Sequence, residues 1–512
     1  MNYENVKVID ILQDGRGVGK KDDITIFIEN AIYGEVVNVK VVNKKKNYLE
    51  AVKTQTVIPS DFYRQPPCLF FDKCGGCSIM NIEYEKQLEL KRKLLVSQLQ
   101  KIAGIDVSNI NIQSDREFEY RNKITLKVDK IGKLSYFAKN SHDYVYINDC
   151  MIASKLIREN LSSIQQLVSK VNSKFESAIK EIVIRSNEKQ IFLIINLSKL
   201  NDKIKEFIKE NIKDLNFVVT LKYNKKEVNL KGDGYILMDY EGYKFRISAS
   251  SFYQVNNFML KKLYDSARKY IKKDYKLLDI YCGVGASTIS QSNNNIVGVE
   301  INKDAVKDAN YNAQKNKVKD YKFIAQNSSN IDSKLINKID PDIITVDPPR
   351  KGLESKLVKS IINSNVNKMI YISCNPATLS RDLKKLIDAG FKVENIEAFD
   401  MFPQSMNVET VVLLSKLDVD KHIKIEFGED ELSEIEFSKD PTYKEIQEYV
   451  LNKFGLKVSN LYIAQVKRKH GLIERENYNV SKKNEEEQVI PQCPPEKEKA
   501  IENALEWFGL NV

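Results

Sequence analysis

Short runs of alternating apolar and polar residues fill positions 1 to 58: VKVIDI, ITIFI, EVVNVKVV and YLEAV, separated by turns rich in Gly, Asp and Asn. A period of two with that punctuation predicts a small antiparallel β-barrel. Gly15, Gly17 and Gly19 sit in the first turn, but the G-x-x-x-x-G-K-[ST] spacing is missing and no helical pattern follows, so they read as hairpin glycines. QPPC at 65–68 ends this unit. From Ile82 to Ile102 the period lengthens, with Leu88, Leu95, Leu99 and Ile102 at helical spacing between charges, which predicts one amphipathic helix. Residues 112–250 mix strands (KITLKV, EIVIRS, QIFLIINL, FVVTLKY, FRISAS) with a helix near 151–172, an α+β arrangement.

After about residue 255 strands alternate with helices: KLLDIYCG, NIVGVE, DIITVD and KMIYISC. That is the grammar of a doubly wound α/β sheet, where ligands sit at the carboxyl ends of the strands. Those ends carry Cys282 and Gly283, Glu300, Asp347 and Cys374. The remainder, 416–512, opens with the acidic EFGEDELSEIEF, and Thr442-Tyr443-Lys444-Glu445 reads as a capping box for a helix ending at Gly455. A second helix, SNLYIAQVKRKHG, makes either a helix-turn-helix or a packing αα-hairpin. Residues 477–495 read as a flexible linker and EKEKAIENALEWFGL as a last helix.

The 512 residues, 42% of them hydrophobic and only 12 proline, describe a globular chain of several domains. Lys+Arg 80 against Asp+Glu 70 gives a formal +10, which is compatible with a polyanionic partner. Residues 416–512 hold 15 Lys+Arg and 20 Asp+Glu, so the basic excess, a formal +15, lies on residues 1–415. Lysine greatly outnumbers arginine, and such a compositional bias prevents charge alone from identifying the partner. No apolar run reaches the ~20 residues of a membrane span and MNYENVKVID lacks the layout of a signal peptide, so a cytoplasmic protein without a membrane partner is expected. Seven cysteines do not suggest a secreted disulfide framework. His142, His422 and His470 lie far apart, which excludes an H-E-x-x-H zinc site and argues against a Ser-His-Asp hydrolase.

The strand end DIYCGVGAST combines Gly283 and Gly285, where a cofactor can approach the backbone, with Glu300 closing the next strand to accept ribose hydroxyls. This fits NAD or S-adenosylmethionine, and Thr288 in place of the third glycine favours the latter, which has no pyrophosphate to cradle. Asp347-Pro348-Pro349-Arg350 holds a carboxylate on a stiff loop; Arg350 stands where amino-methyltransferases put a base-stacking aromatic. Cys374, between an apolar strand and a helix, sits where helix polarity favours thiolate. A thiolate suits pyrimidine C5 methylation, in which it adds to C6 to activate C5 and a base later removes the C5 proton. Glu409 in NVETVVLL is the candidate base.

DIYCGVGAST, VDPPRKG, ISCNPATLSRD and DMFPQSMNVETVVLL, in this order, resemble the RNA 5-methyluridine methyltransferase family, in particular its 23S rRNA (uracil-5-)-methyltransferases, over residues 1 to about 415. The resemblance implies Cys374 as nucleophile and Glu409 as proton acceptor, with S-adenosylmethionine contacts from Gln254, Tyr281, Gly283, Glu300 and Asp347. Asn327, in a loop lacking the acid found there in many methyltransferases, is the candidate on the adenine side. The barrel with GRGVGKKDDITIFIENAIYGEVV is similar to the family's TRAM domain, an OB-like RNA-binding fold. Cys68, Cys74, Cys77 and the distant Cys150 suit zinc or an iron–sulfur cluster equally by spacing, and the resemblance implies a [4Fe–4S] cluster of structural role. Cys282 and Cys493 are assigned no chemistry. Arg121, Lys123, Arg350 and Lys351 are candidates for phosphate contacts to a flipped-out nucleotide, with a plain solvated surface as the alternative.

The expected architecture is therefore an α/β Rossmann-like methyltransferase domain (251–415), an amino-terminal OB-like TRAM barrel (1–58), an α+β central iron–sulfur domain (59–250) and a mostly helical extension (416–512) of unassigned role. The helix at 82–103 is expected to pack on the catalytic domain. The expected partner is RNA, foremost 23S rRNA, acted on by a monomer. Two other readings are the same chemistry on tRNA and a non-catalytic RNA-binding or assembly factor, against which the intact Cys374 and Glu409 speak.

Overall fold

The alternation at the amino end forms five strands, β1 (Asn2–Ile11), β2 (Gly17–Lys21), β3 (Ile24–Glu29), β4 (Val36–Lys44) and β5 (Tyr48–Ile58), closed in the order β1-β2-β3-β5-β4. Val6, Val8, Ile26, Ile28 and Leu49 fill the inside. The barrel is not antiparallel throughout, because β3 and β5 run parallel where they meet to close it. Gly15 turns the first hairpin at φ +91°, and a Cβ on Gly19 would stand 2.5 Å from the Val6 side chain, so these are hairpin and packing glycines. The computed structural model describes residues 1–107, 109–292, 294–416, 442–472, 492–508 and 510, and the chain forms two units, Met1–Asp418 and Val419–Val512.

The helical spacing after residue 82 forms α1 (Tyr84–Gln98), which widens into a π turn over Leu99–Ala103 and leads to β6 (Ile112–Gln113). A seven-stranded sheet follows, built from β7 (Lys123–Val128), β8 (Leu134–Phe137), β9 (Tyr144–Tyr146), β10 (Ile179–Ser186), β11 (Ile191–Leu197), β12 (Phe217–Tyr223) and β13 (Lys226–Lys231) in the order β13-β12-β11-β10-β7-β8-β9. Two helices, α2 (Lys155–Phe175) and α3 (Asp202–Asn211), join its strands. Leu161, Ile164 and Val168 of α2 pack on Leu126, Ile182 and Ile184; each such fully buried side chain contributes ~1.5–3 kcal/mol, which holds helix to sheet. FRISAS does not join this sheet. It lies in a hairpin, β14 (Tyr235–Tyr240) and β15 (Tyr243–Ser248), whose Ile236, Phe245 and Ile247 are buried with Leu260, Leu263 and Ile289 of the next segment.

That segment comprises α4 (Asn257–Arg268), β16 (Leu277–Ile280), α5 (Ala286–Gln291), β17 (Asn294–Glu300), α6 (Lys303–Lys315), β18 (Lys319–Ala325), α7 (Ser333–Ile339), β19 (Ile343–Val346), α8 (Ser355–Ile362), β20 (Lys368–Ser373), α9 (Pro376–Ile387), β21 (Phe391–Phe399) and β22 (Glu409–Lys416). The sheet order is β18-β17-β16-β19-β20-β22-β21-β6. Strands β16 to β20 are parallel, β22 is antiparallel between β20 and β21, and β6 adds to the far edge through Ile112 opposite Ala398. The strand order reverses between the parallel neighbours β16 and β19, which opens a crevice at their carboxyl ends. Leu95 and Leu99 are buried with Leu383 and Leu386 of α9, so the helix at 84–103 packs on this sheet.

The carboxy-terminal unit packs α10 (Tyr443–Phe454), α11 (Asn460–Lys469) and α12 (Pro495–Trp507) around Ile446, Val450, Ile463, Ile501 and Leu505. The capping box forms, Thr442 N donating to Glu445 Oε2 at 2.7 Å, and α10 ends at Gly455 with φ +68°. The helix pair is closed by α12 as a packed trio. The acidic run 426–437, His422 and most of the 477–495 linker lie outside the described residues. Among the described residues no helix is long and apolar enough to cross a membrane.

Candidate active site

The strand ends of the eight-stranded sheet surround a small cavity bordered by Phe252, Gln254, Asp279, Tyr281, Gly283 and Asp347. Gly283 has φ +55°, and a Cβ there would meet only the Phe252 carbonyl oxygen, at 4.0 Å, so the loop leaves room for a ligand at this point. Gly285 does not: its Cβ would press on Ile289, Phe323 and Ala309 at 3.2 to 3.4 Å, which makes it a packing glycine and corrects the expectation of an opening there. Tyr281 is held at φ +75°, a conformation costing a non-glycine residue ~1–3 kcal/mol, while its N–H donates to the Val299 carbonyl at 2.8 Å. Glu300 accepts from Gly283 N at 3.2 Å and Asn302 N at 2.8 Å, so both carboxylate oxygens are oriented at the end of β17. Gln254 donates to Asp347 Oδ2 at 3.3 Å. Asn327 does not border the cavity; its Oδ1 accepts from Ser329 N at 3.0 Å and caps a short turn beyond β18. An open glycine beside an oriented acid, with no phosphate cradle, fits a nucleoside cofactor carrying a ribose diol.

Cys374 follows the last residue of β20 and is half-buried, whereas Glu409 begins β22 and is buried. The antiparallel register sets Ser373 opposite Thr410, so the two side chains stand at facing strand ends. Burial, reinforced by Asp347, pushes the Glu409 carboxyl well above the ordinary carboxylate range. Asp347 itself is raised to about 7 by burial and by Asp279, and Asp279 to about 6 by burial. The Cys374 thiol is pushed up to about 12 by burial, Glu409 and Asp347, against the opposing charge of Arg350. This corrects the expectation of a thiolate at the start of α9: desolvation and neighbouring acids outweigh helix polarity. The site thus sets a half-buried nucleophile beside a buried carboxyl group whose affinity for a proton is raised.

Cys68, Cys74, Cys77 and Cys150 all border a second cavity of about 430 Å³, together with Arg121, Lys123 and Arg350. Burial raises the Cys74 thiol to about 11 and also raises those of Cys77 and Cys150. Among the described residues no group of three or more His, Cys, Asp or Glu is arranged to hold a metal ion, so the four cysteines share a cavity without forming a closed ligand set. Cys282 packs beneath Gly298, and Cys493 donates to the Pro494 carbonyl.

Three features escaped the sequence reading. Asp279 is a buried acid at the end of β16 and hydrogen-bonds Thr288. Asp400 accepts from Lys91 Nζ at 2.5 Å and from Tyr84 Oη at 2.9 Å, and Gln404, buried at φ +69°, accepts from Gln87 at 2.9 Å and Arg64 at 3.1 Å. These bonds clamp the loop 400–408 that leads into Glu409. The available signal was Gln87 and Lys91 on the same i, i+4, i+8 face of α1 as Leu95, polar residues where a helix buries its apolar stripe.

The model of a family described as tRNA (uracil-5-)-methyltransferase matches residues 83–417. An uncharacterized RNA methyltransferase of Clostridium acetobutylicum is 33% identical over 450 residues, 81% of this chain and 97% of its own length. Another, of Clostridium tetani, is 33% identical over 431 residues, 78% of this chain and 94% of its own. Among solved structures, the Pyrococcus abyssi tRNA (uracil-54, C5)-methyltransferase in complex with S-adenosyl-L-homocysteine superimposes with a TM-score of 0.63 at 25% identity, covering 80% of this chain and 100% of its own.

Proposed function

The chain belongs to the tRNA (uracil-5-)-methyltransferase family and is an S-adenosylmethionine-dependent RNA uracil-5 methyltransferase; from that premise we propose that Cys374 is its nucleophile and Glu409 its base. S-adenosylmethionine supplies the activated methyl group. C5 of uracil is a weak nucleophile until Cys374 Sγ bonds to C6 and the C5–C6 electron pair shifts toward O4. After C5 gains the methyl group, Glu409 removes the C5 proton, the C5–C6 double bond re-forms and the C6–S bond breaks, returning Cys374. One proton is released per methyl group transferred. The observation that carries this reading is the meeting of Cys374 and Glu409 at facing strand ends beside the crevice of Gln254, Gly283 and Asp347.

For the cofactor we assign Gln254, Tyr281, Gly283, Glu300 and Asp347, with Glu300 on the ribose hydroxyls, and Asn327 toward the adenine, next to Gln326, whose N–H donates to the Glu300 carbonyl at 2.9 Å. The barrel 1–58 is read as a TRAM-type RNA-binding module, with 59–250 as the central domain, 251–415 as the catalytic domain and the enzyme acting as a monomer. A [4Fe–4S] cluster held by Cys68, Cys74, Cys77 and Cys150 is supported by four sulfur donors at one cavity. Zinc, which four thiolates also suit, is the second reading for the same residues.

As target we propose 23S rRNA, on the motif resemblance; the Pyrococcus abyssi relative acts on tRNA, which makes tRNA the second reading. Incubation with labelled S-adenosylmethionine and deproteinised RNA is expected to yield 5-methyluridine, lost in Cys374→Ala. Absence of transfer by the wild type to any cellular RNA overturns the activity. Mapping 5-methyluridine in cells lacking the gene is expected to show loss from 23S rRNA, and loss confined to tRNA overturns the target.

A further inference from the structure

The outward face of the central sheet carries an aromatic strip that methyl transfer does not use. Residues opposite one another in antiparallel strands share a face, so the register Lys127↔Ser135, Ser135↔Tyr146 and Phe137↔Tyr144 puts Lys127, Phe137, Tyr144 and Tyr146 together. The Phe137 and Tyr144 rings stack nearly parallel, centroids 5.9 Å apart, and Tyr144 lies 6.5 Å from Tyr146. Tyr144 and Tyr146 remain 44% and 47% exposed. Lys127 Nζ approaches the Phe137 ring at 5.5 Å and Lys133 Nζ the Tyr146 ring at 5.2 Å. Lys127 is also paired with Glu181, and the Asp129 carboxylate accepts from the backbone N–H of Lys133 at 2.7 Å.

Strand β9 is the last in its sheet, and an edge strand bearing exposed rings invites aggregation unless something covers it. Its position indicates what does. At one end, Asn140 in the β8–β9 turn donates to Glu29 of the barrel at 3.3 Å. At the other, Ile147 and Cys150 border the large cavity, as do Lys123 and Thr125, which share the outward face of β7 with Lys127. The strip therefore lies between barrel and cavity, on the portion of the chain that carries the formal +15.

We propose that this face is a stacking platform for unpaired bases of the substrate RNA next to the target uridine. Phe137, Tyr144 and Tyr146 take the base faces, while Lys133 and Lys127 take the phosphates. The inference rests on the RNA-methylating reading of the enzyme. Aromatic rings interleaved with cations suit single-stranded RNA, since every base has a π-face and each stacked base adds appreciably to affinity.

The test uses the full chain and a fluorescein-labelled, uridine-containing single-stranded oligoribonucleotide, followed by anisotropy. Tyr144→Ala/Tyr146→Ala is expected to weaken binding about tenfold or more, and Tyr144→Phe/Tyr146→Phe to stay within about twofold, because stacking needs the ring and not the hydroxyl. Calorimetric affinity for S-adenosylmethionine equal to wild type verifies that each variant is folded. RNA affinity unchanged in the double alanine variant overturns the proposal and is the result expected if a protein covers this face; equal loss in the phenylalanine variant overturns stacking. Independently, Trp507→Phe/Tyr146→Trp leaves one tryptophan in the strip, and its emission is expected to be quenched by the oligonucleotide. Unquenched emission overturns the proposal. Failure of the enzymatic reading itself is seen separately, as absence of methyl transfer by the wild type.

Discussion

Asp347, at the end of β19, adds its charge to the burial that keeps the Glu409 carboxyl protonated well above the ordinary carboxylate range. Asp347 is itself raised to about 7. A carboxyl whose folded pKa exceeds its unfolded value of ~3.9 contributes stability that is full below ~4 and is lost as pH rises through about 7. Asp347→Asn removes that dependence. Urea unfolding of wild type and variant from pH 4 to pH 8 is expected to show the variant gaining relative stability as pH rises, by up to a few kcal/mol; a constant difference contradicts the shift.

The elevated Cys374 thiol predicts slow alkylation at neutral pH. The iodoacetamide rate at Cys374, followed by mass spectrometry, is expected to climb about tenfold per pH unit past pH 9 without the plateau of an ordinary thiol near 8.5. Glu409→Gln removes a carboxylate that raises this thiol, so its rate curve is expected to move to lower pH. A plateau below pH 9 in the wild type contradicts the shift.

If Glu409 is the base, Glu409→Gln still permits addition to C6 and methylation but stalls elimination. A covalent protein–RNA adduct is expected on denaturing gels, dependent on both S-adenosylmethionine and Cys374. Normal turnover by the variant removes Glu409 from the mechanism.

Lys91 and Asp400 have no solvent exposure in either side chain. Lys91→Met leaves a buried unpaired carboxylate, at a cost of roughly 3–5 kcal/mol in unfolding free energy. Lys91→Met/Asp400→Asn is expected to recover part of that loss. Additive losses from the two substitutions indicate that the residues do not act as a pair.

For the four cysteines, protein purified without oxygen is expected to be brown and to contain about four iron and four sulfide per chain, lost in Cys77→Ser. A colourless protein containing zinc overturns the cluster.

The barrel, the long helix α2 and the strand-end residues were readable because each depends on local periodicity: Val6 and Val8 face inward by alternation, and Ile164 and Val168 lie one turn apart. The same reasoning singled out Cys374, Glu300 and Asp347 as candidates, since a polar residue after an apolar strand is a local pattern. What it missed depends on distant segments. FRISAS has an ordinary strand sequence, and only the buried surface around Leu260 and Leu263 decides which body it joins. The Cys374 thiol follows helix polarity in sequence, yet burial, and after it Glu409 and Asp347 arriving from other strands, strengthens its hold on the proton. The spacing of Lys91 from Leu95 places it on the buried face of α1, but its charge partner Asp400 comes from a segment 309 residues away.

The attachment of α1 and β6 to a sheet whose last strands come much later constrains how the protein is made. Lys91 precedes Asp400 by 309 residues, so at ~5–20 residues per second the helix emerges roughly 15 s to a minute before its charge partner. Throughout that interval Leu95 and Leu99 lack the surface that buries them. Completion of the catalytic half is thus a late event in biosynthesis, one that a prematurely terminated chain cannot reach and that a growing chain must survive without aggregating.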